Sequence, residues 1–132
     1  MKKIYSLFIF AGMLSLTYCS SKKEGQEVAN EFYTALKAQE YEKAVGLCHE
    51  NALNITPKDQ WLDVLKQAQD RLGSIKSFNQ KSWNVNIENG NSTVSLTFDV
   101  VYEKGNMKED LTLYKKAGEK NMKVLGYNYK QQ

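Results

Sequence analysis

The dipeptide Asn89-Gly90 is the sequence feature that most constrains the fold of this chain. It separates two runs in which apolar and polar residues alternate. Asn-Gly in that position is a strong signal for a two-residue hairpin turn, because both residues tolerate positive φ. The pairs that this turn predicts are Glu88–Asn91, Val85–Val94 and Trp83–Leu96. The apolar pairs share one face, as a single hydrophobic core requires.

A second hairpin is predicted with its turn at Gly105-Asn106, which sets Lys104 opposite Met107. In this register apolar residues again face each other, and the pairs are Val100–Leu111 and Phe98–Leu113. Two hairpins that agree on one inner face predict a three-stranded antiparallel meander.

A fourth strand is predicted from Met122 to Tyr129, and its apolar side chains occupy both faces. With a four-residue turn at residues 117–120, Met122 and Val124 point into the core. The apolar residues then expected on the outer side of the sheet include Tyr114, Leu125, Tyr127 and Tyr129. A five-residue turn reverses the assignment, so either alternative leaves an apolar stripe on the outer face.

Three helices are expected before the strands. Apolar residues recur with helical spacing over residues 24–38 and again over residues 41–48. The third helix begins at Thr56-Pro57, where threonine can cap and proline suits the first helical position, and it ends at Gly73. Helices followed by a meander predict an α+β domain, with three N-terminal helices packed on a curved four-stranded antiparallel sheet.

The N-terminus has the layout of a secretory signal. Lys2 and Lys3 precede an apolar run of about fifteen residues, from Ile4 to Tyr18, which is shorter than the roughly 20 residues that span a bilayer as a helix. The run ends at Cys19. A chain with this N-terminus is expected to be exported.

The tetrapeptide that ends at Cys19, Leu16-Thr17-Tyr18-Cys19, resembles the signal-peptide boundary of bacterial lipoproteins. In that family the cysteine is diacylated through its thiol, and cleavage then makes it the N-terminus. Tyr18 departs from the family, which usually has Gly, Ala or Ser there. An ordinary secretory signal or an uncleaved anchor is therefore the alternative.

The lipoprotein resemblance implies a division of the chain. Residues 1–18 would be removed as the signal peptide, residues 19–25 would be the lipidated cysteine and a tether, and residues 26–132 would form a single α+β domain. It also implies that the protein is held at the bacterial cell envelope by palmitate-type acyl chains. The outer membrane is favoured, because the two serines after Cys19 are not the aspartate that retains lipoproteins at the inner membrane.

Composition excludes one class of partner. The chain has 18 basic and 15 acidic residues, and two of the lysines belong to the signal. The remaining domain is close to neutral, so it lacks the clustered positive charge that nucleic-acid binding needs. If Cys19 carries lipid, Cys48 has no partner for a disulfide and is expected in the core.

The order of helices and strands resembles the nuclear-transport-factor-2-like fold, in which a curved sheet forms a cone around helices. More specifically, the chain is similar to a family of small secreted bacterial proteins of unknown function within that superfamily. The residues that carry the resemblance are Phe32, Tyr33, Tyr41, Trp61, Arg71-Leu72-Gly73 and Lys123-Val124-Leu125-Gly126-Tyr127. They indicate the fold and say nothing about activity.

No catalytic, metal-binding or cofactor-binding motif is found in the sequence. His49 is the single histidine and is expected to be partly exposed near the end of a helix. The first hypothesis is therefore a non-catalytic interaction module that binds a second copy or an envelope protein through an apolar sheet face. The residues of that face are Tyr114, Leu125, Tyr127 and Tyr129.

The second hypothesis is a small-ligand binder, or less readily an enzyme, that uses the interior of the cone. Enzymes that share the cone fold use a carboxylate base in an apolar pocket, often beside a tyrosine donor. The residues predicted to line the interior are Phe32, Tyr33, Trp83, Phe98 and Tyr102.

Overall fold

The computed structural model describes the backbone of residues 2–131 and the side chains of residues 17–130. The side chains of residues 1–16, which make up most of the predicted signal peptide, lie outside this description. The elements, in chain order, are α1 (Lys2–Lys37), α2 (Tyr41–Val45), α3 (Glu50–Ile55), α4 (Lys58–Leu72), β1 (Ile75–Glu88), β2 (Asn91–Tyr102), β3 (Gly105–Lys115) and β4 (Lys123–Gln131).

The four strands form one antiparallel sheet in the order β1-β2-β3-β4, with the helices packed against it. This confirms the α+β class and the four-stranded meander. The helices differ from the prediction, because α1 begins at Lys2 and because residues 41–55 form two short helices, α2 and α3. Among the residues that the structure describes, no helix combines the length and the apolar character needed to cross a membrane.

Residues 19–25, predicted to include a tether, lie within α1. Ser21 and Gly25 are buried, and the Ser21 hydroxyl donates to the hydroxyl of Ser92 at 3.3 Å. A Cβ on Gly25 would lie 2.9 Å from Cγ1 of Val94. These contacts correct the prediction that this segment is a tether. The two small residues, Ser21 and Gly25, lie four positions apart on one face of α1 and let the helix approach the sheet closely.

The first hairpin is confirmed. Asn89 and Gly90 have φ angles of 52° and 80°, and Val85 pairs with Val94. Trp83 pairs with Leu96 as predicted. The local chemistry of the Asn-Gly turn was therefore sufficient to determine this register.

The second hairpin has a different register from the predicted one. Its turn is at Glu103-Lys104, so Val100 pairs with Met107 instead of Leu111. The shift is four residues, and because side chains alternate with a period of two, the inner and outer faces of β3 are unchanged.

Tertiary contacts explain where the second turn lies. The backbone N–H of Glu103 donates to the carbonyl of Ser74 at 3.1 Å, and that of Lys104 donates to the carbonyl of Leu72 at 2.9 Å. The carbonyls of Leu72, the last residue of α4, and of Ser74 just after it therefore satisfy the polar backbone of the turn. No pattern within residues 98–113 encodes this contact.

A β-bulge in β4 explains how apolar residues at both even and odd positions of this strand can face the core. Leu113 pairs with Val124 and Thr112 pairs with Gly126, so Leu125 is the extra residue. One extra residue reverses the alternation of the strand. Val124 before the bulge and the tyrosines after it therefore both lie on the inner face.

The bulge corrects the predicted outer-face stripe. Met122 and Val124 are buried, as the four-residue turn predicted. Tyr127 pairs with Leu111 and Tyr129 pairs with Glu109, which places both tyrosines on the core side of the sheet. The prediction that one apolar stripe must leave the core was wrong.

Candidate functional site

A buried carboxylate, Glu109, lies on the inner face of the sheet. In β3 the buried positions alternate, and they are Met107, Glu109, Leu111 and Leu113. The relative exposure of Glu109 is 0%. Removing a carboxylate from water is costly unless hydrogen bonds replace the lost solvation. The partners of Glu109 therefore decide what it can do.

Three tyrosine hydroxyls donate to Glu109. The hydroxyl of Tyr102 lies 2.7 Å from Oε2, that of Tyr127 lies 2.5 Å from Oε1, and that of Tyr33 lies 3.4 Å from Oε1. These tyrosines come from β2, β4 and α1, respectively. We call these four residues the Glu109 cluster. A carboxylate has about four lone-pair positions, so it can accept all three hydrogen bonds.

The electrostatics of the Glu109 cluster are dominated by burial. Burial raises the pKa of Glu109 above its ordinary value, and the hydrogen bonds from the three tyrosines offset this only in part. Burial, followed by the charge of Glu109, also raises the pKa of Tyr33, Tyr102 and Tyr127. The three hydroxyls therefore remain protonated donors at neutral pH.

The raised pKa of Glu109 predicts an unusual pH dependence of stability. Its contribution is fully present below the ordinary value of 4.5 and is lost as the pH rises through the folded-state pKa, because the unfolded chain releases the proton first. Each unit of elevation corresponds to about 1.4 kcal/mol. We expect the unfolding free energy of the natural protein, minus that of Glu109→Gln, to decrease as the pH rises above 4.5. Urea titrations of both proteins at a series of pH values measure this. A difference that rises with pH would contradict it.

Four of the five predicted pocket residues are brought together at the Glu109 cluster. Tyr33 and Tyr102 belong to the cluster, and Phe32 and Phe98 pack beside it. Phe32, Tyr33, Phe98 and Tyr102 are each at most 5% exposed. The ring centroids of Tyr33 and Phe98 are 4.6 Å apart, and those of Phe32 and Tyr33 are 5.5 Å apart. The interior that a ligand would enter is occupied by these contacting rings.

Trp83, the fifth predicted pocket residue, lies apart from this interior. Its side chain is 51% exposed, and the ammonium of Lys22 lies 4.0 Å from its ring centroid. The predicted pairing of Trp83 with Leu96 is correct. However, β1 is an edge strand, and the Trp83 ring is covered by the side chain of Lys22 and not by core residues. This corrects its placement in the pocket and in the core.

The four predicted sheet-face residues do not form one exposed patch. The hydroxyl of Tyr127 points to Glu109, and the ring centroids of Tyr127 and Tyr129 are 5.9 Å apart. Leu125 is half-buried at the bulge, and Tyr114 packs edge-on against the ring of His49 at 5.1 Å. The predicted apolar interaction surface is therefore absent from the described sheet.

His49 has a structural role in a buried position, which corrects its predicted exposure. Its Nδ1 accepts a hydrogen bond from the backbone N–H of Asn51 and so caps α3. Nε2 must then carry the hydrogen, and it lies 3.0 Å from the carboxylate of Glu119. A hydrogen bond from the backbone N–H of Lys116 and then the one from His49 lower the pKa of Glu119.

Cys48 is confirmed as a core residue. It is 5% exposed and has no disulfide. Burial raises the pKa of its thiol to about 12, so the thiolate that a nucleophile requires is scarce at neutral pH. Among the described residues, no group of three or more His, Cys, Asp or Glu side chains could hold a metal ion.

Sequence reasoning missed Glu109, although its position carried a signal. It occupies the same face as Met107 and Leu111, where a charged residue interrupts an apolar alternation. Tyr127 was also missed as its partner, because the bulge at Leu125 was not anticipated.

The comparisons with known proteins establish similarity of fold alone. No family model matches the chain, and no curated protein matches it. Among solved structures, the chain is similar to the Bdellovibrio bacteriovorus protein Bd1075, with a TM-score of 0.59 and 15% identity. The similarity covers 83% of this chain and 40% of that chain, so the matching region is less than half of Bd1075.

Proposed function

We propose that this chain is a bacterial envelope lipoprotein, anchored through acyl chains on Cys19, that holds a non-catalytic interaction domain at the membrane surface. The observation that carries the proposal is the apolar N-terminal run that ends at Leu16-Thr17-Tyr18-Cys19. More than one acyl chain on a single cysteine is sufficient for stable anchoring without a transmembrane helix. The outer membrane is the proposed location.

The position of Cys19 is compatible with acylation. Its side chain is exposed, whereas Cys48 is buried with a raised pKa. A modifying enzyme can therefore reach the first thiol in the folded protein and would require unfolding to reach the second.

The non-catalytic assignment is supported by the state of the reactive groups. The carboxylate of Glu109 already accepts hydrogen bonds from three tyrosine hydroxyls, and the His49 ring caps α3. The alternative function is a small-ligand binder. It would require the contacting aromatic rings of the interior to move apart before a ligand could enter. The proposed partner is a protein, either a second copy or another envelope protein, and the proposed finer fold is the nuclear-transport-factor-2-like cone.

Acylation is tested by labelling cells with a radiolabelled fatty acid. We expect the natural chain to carry label and Cys19→Ala to lose it completely, because the one cysteine that remains, Cys48, is buried in the core. Cys48→Ala is the matched control, since it removes the other cysteine, and it should retain the label.

Two results would contradict the anchor. Label retained in Cys19→Ala would move the attachment elsewhere in the chain. A natural chain that carries no label and fractionates without the membrane would indicate an ordinary secretory signal.

A further inference from the structure

We propose that the anchored domain stands on the bilayer in one fixed orientation, with one end of its sheet against anionic lipid headgroups. This inference rests on acylation of Cys19. The end in question, which we call the apex, consists of the β1–β2 turn at residues 89–90 and the β3–β4 connection at residues 116–122.

The acylated cysteine lies next to the first packed residue of the domain, with no room for a tether between them. Only Ser20 lies between Cys19 and Ser21, and Ser21 is buried against Ser92. The domain can therefore move relative to the anchor only by bending of α1 at Cys19 and Ser20, the residues before Ser21.

Helix α1 is held firmly to the sheet next to the anchor. The carboxylate of Glu24 accepts hydrogen bonds from Lys115 Nζ at 2.6 Å and from the backbone N–H of Met122 at 2.8 Å. Gly25 contacts Val94 closely. The helical turns after Cys19 are thus tied to β2, to β3 and to the residue before β4.

The contact between the start of the packed part of α1 and the sheet lies at the apex. Ser92, the partner of Ser21, is the second residue of β2 after the Asn89-Gly90 turn. The two apical turns also touch, because the backbone N–H of Ala117 donates to Asn91 Oδ1 at 2.8 Å. The chain therefore leaves the domain toward Cys19 beside both turns.

The exposed charged groups of the apex are mainly lysine ammonium groups. Lys23, Lys116 and Lys120 are exposed there, and Glu88 is the exposed acid. Glu119 adds a second carboxylate, which keeps its negative charge while it accepts hydrogen bonds from His49 and from the backbone N–H of Lys116, so three ammonium groups stand against two carboxylates. The excess of ammonium groups is complementary to a surface of anionic headgroups.

The opposite end of the sheet provides the comparison. Its turn, Glu103-Lys104, carries one charge of each sign. The twelve residues of β2 separate the two ends by roughly 40 Å, at about 3.3 Å per residue. A fixed orientation and a flexible tether therefore predict different distances from the bilayer.

The experiment measures that difference with spin labels on the acylated full chain in a Cys48→Ala background. Asn121→Cys places a label at the apex and Asn106→Cys places one at the opposite end, and both asparagines are exposed. The chain is reconstituted in phosphatidylethanolamine–phosphatidylglycerol vesicles that contain a nickel-chelating lipid. We expect relaxation of the label at residue 121 to be several-fold stronger than at residue 106.

The charge contribution is tested with the double variant Lys116→Glu and Lys120→Glu, for which we expect the difference between the two labels to shrink. The matched control, Lys104→Glu with Lys108→Glu, reverses two exposed lysines at the other end and should leave the difference unchanged. Equal relaxation of the two labels on acylated protein would overturn this inference and leave the anchor intact. A chain that carries no acyl group would overturn the anchor itself.

Discussion

Replacing Glu109 by leucine is expected to lower the unfolding free energy by about 3 kcal/mol, since buried hydroxyls without a partner cost about 1–3 kcal/mol each. Tyr102 and Tyr33 are at most 3% exposed and would lose their acceptor. Tyr127 is only half-buried, so water can satisfy it at lower cost. Urea unfolding, followed by tryptophan fluorescence, measures the loss.

Two variants separate the hydrogen bonds of Glu109 from its size. Glu109→Gln keeps an oxygen acceptor in a side chain of similar shape, and we expect a smaller loss. Adding Tyr102→Phe to Glu109→Leu removes the hydroxyl left without a partner, so the two changes should cost less together than the sum of their separate costs, by about 0.5–3 kcal/mol. Strict additivity would indicate that the 2.7 Å contact contributes little to stability.

Replacing Gly25 by leucine is expected to destabilise the protein by about 2 kcal/mol, within the range found for overpacked cores. A Cβ at this position already lies 2.9 Å from Cγ1 and 3.1 Å from Cβ of Val94. Val94 is fully buried and β-branched, so it cannot rotate away freely. The helix must move, although leucine has the higher helix propensity.

The control for Gly25→Leu is Asn30→Leu, which adds the same side chain at an exposed position of α1. We expect a change within about 0.5 kcal/mol, as for most surface substitutions. Urea unfolding of both variants makes the comparison. If Gly25→Leu is as stable as the natural protein, then α1 does not pack on β2 as closely as described, and the fixed orientation on the membrane loses its basis.

Part of the candidate site could be predicted from the sequence. Strand periodicity placed Phe98 and Tyr102 on the interior face, and burial confirms both. Glu109 was not predicted, because a periodic apolar pattern does not indicate which polar residue is tolerated within it. That tolerance depends on three hydroxyls from α1, β2 and β4, which are far apart in sequence.

The sequence by itself determined the α+β class, the strands and the first hairpin, because helical spacing, two-residue alternation and an Asn-Gly turn act over a few neighbouring residues. Only the tertiary structure decided the second turn, which depends on carbonyls at the end of α4. The same holds for the bulge at Leu125 and for the packing of α1 from Ser21 onward. These features depend on contacts between distant parts of the chain, and the free energy of such contacts appears only when the whole domain is assembled.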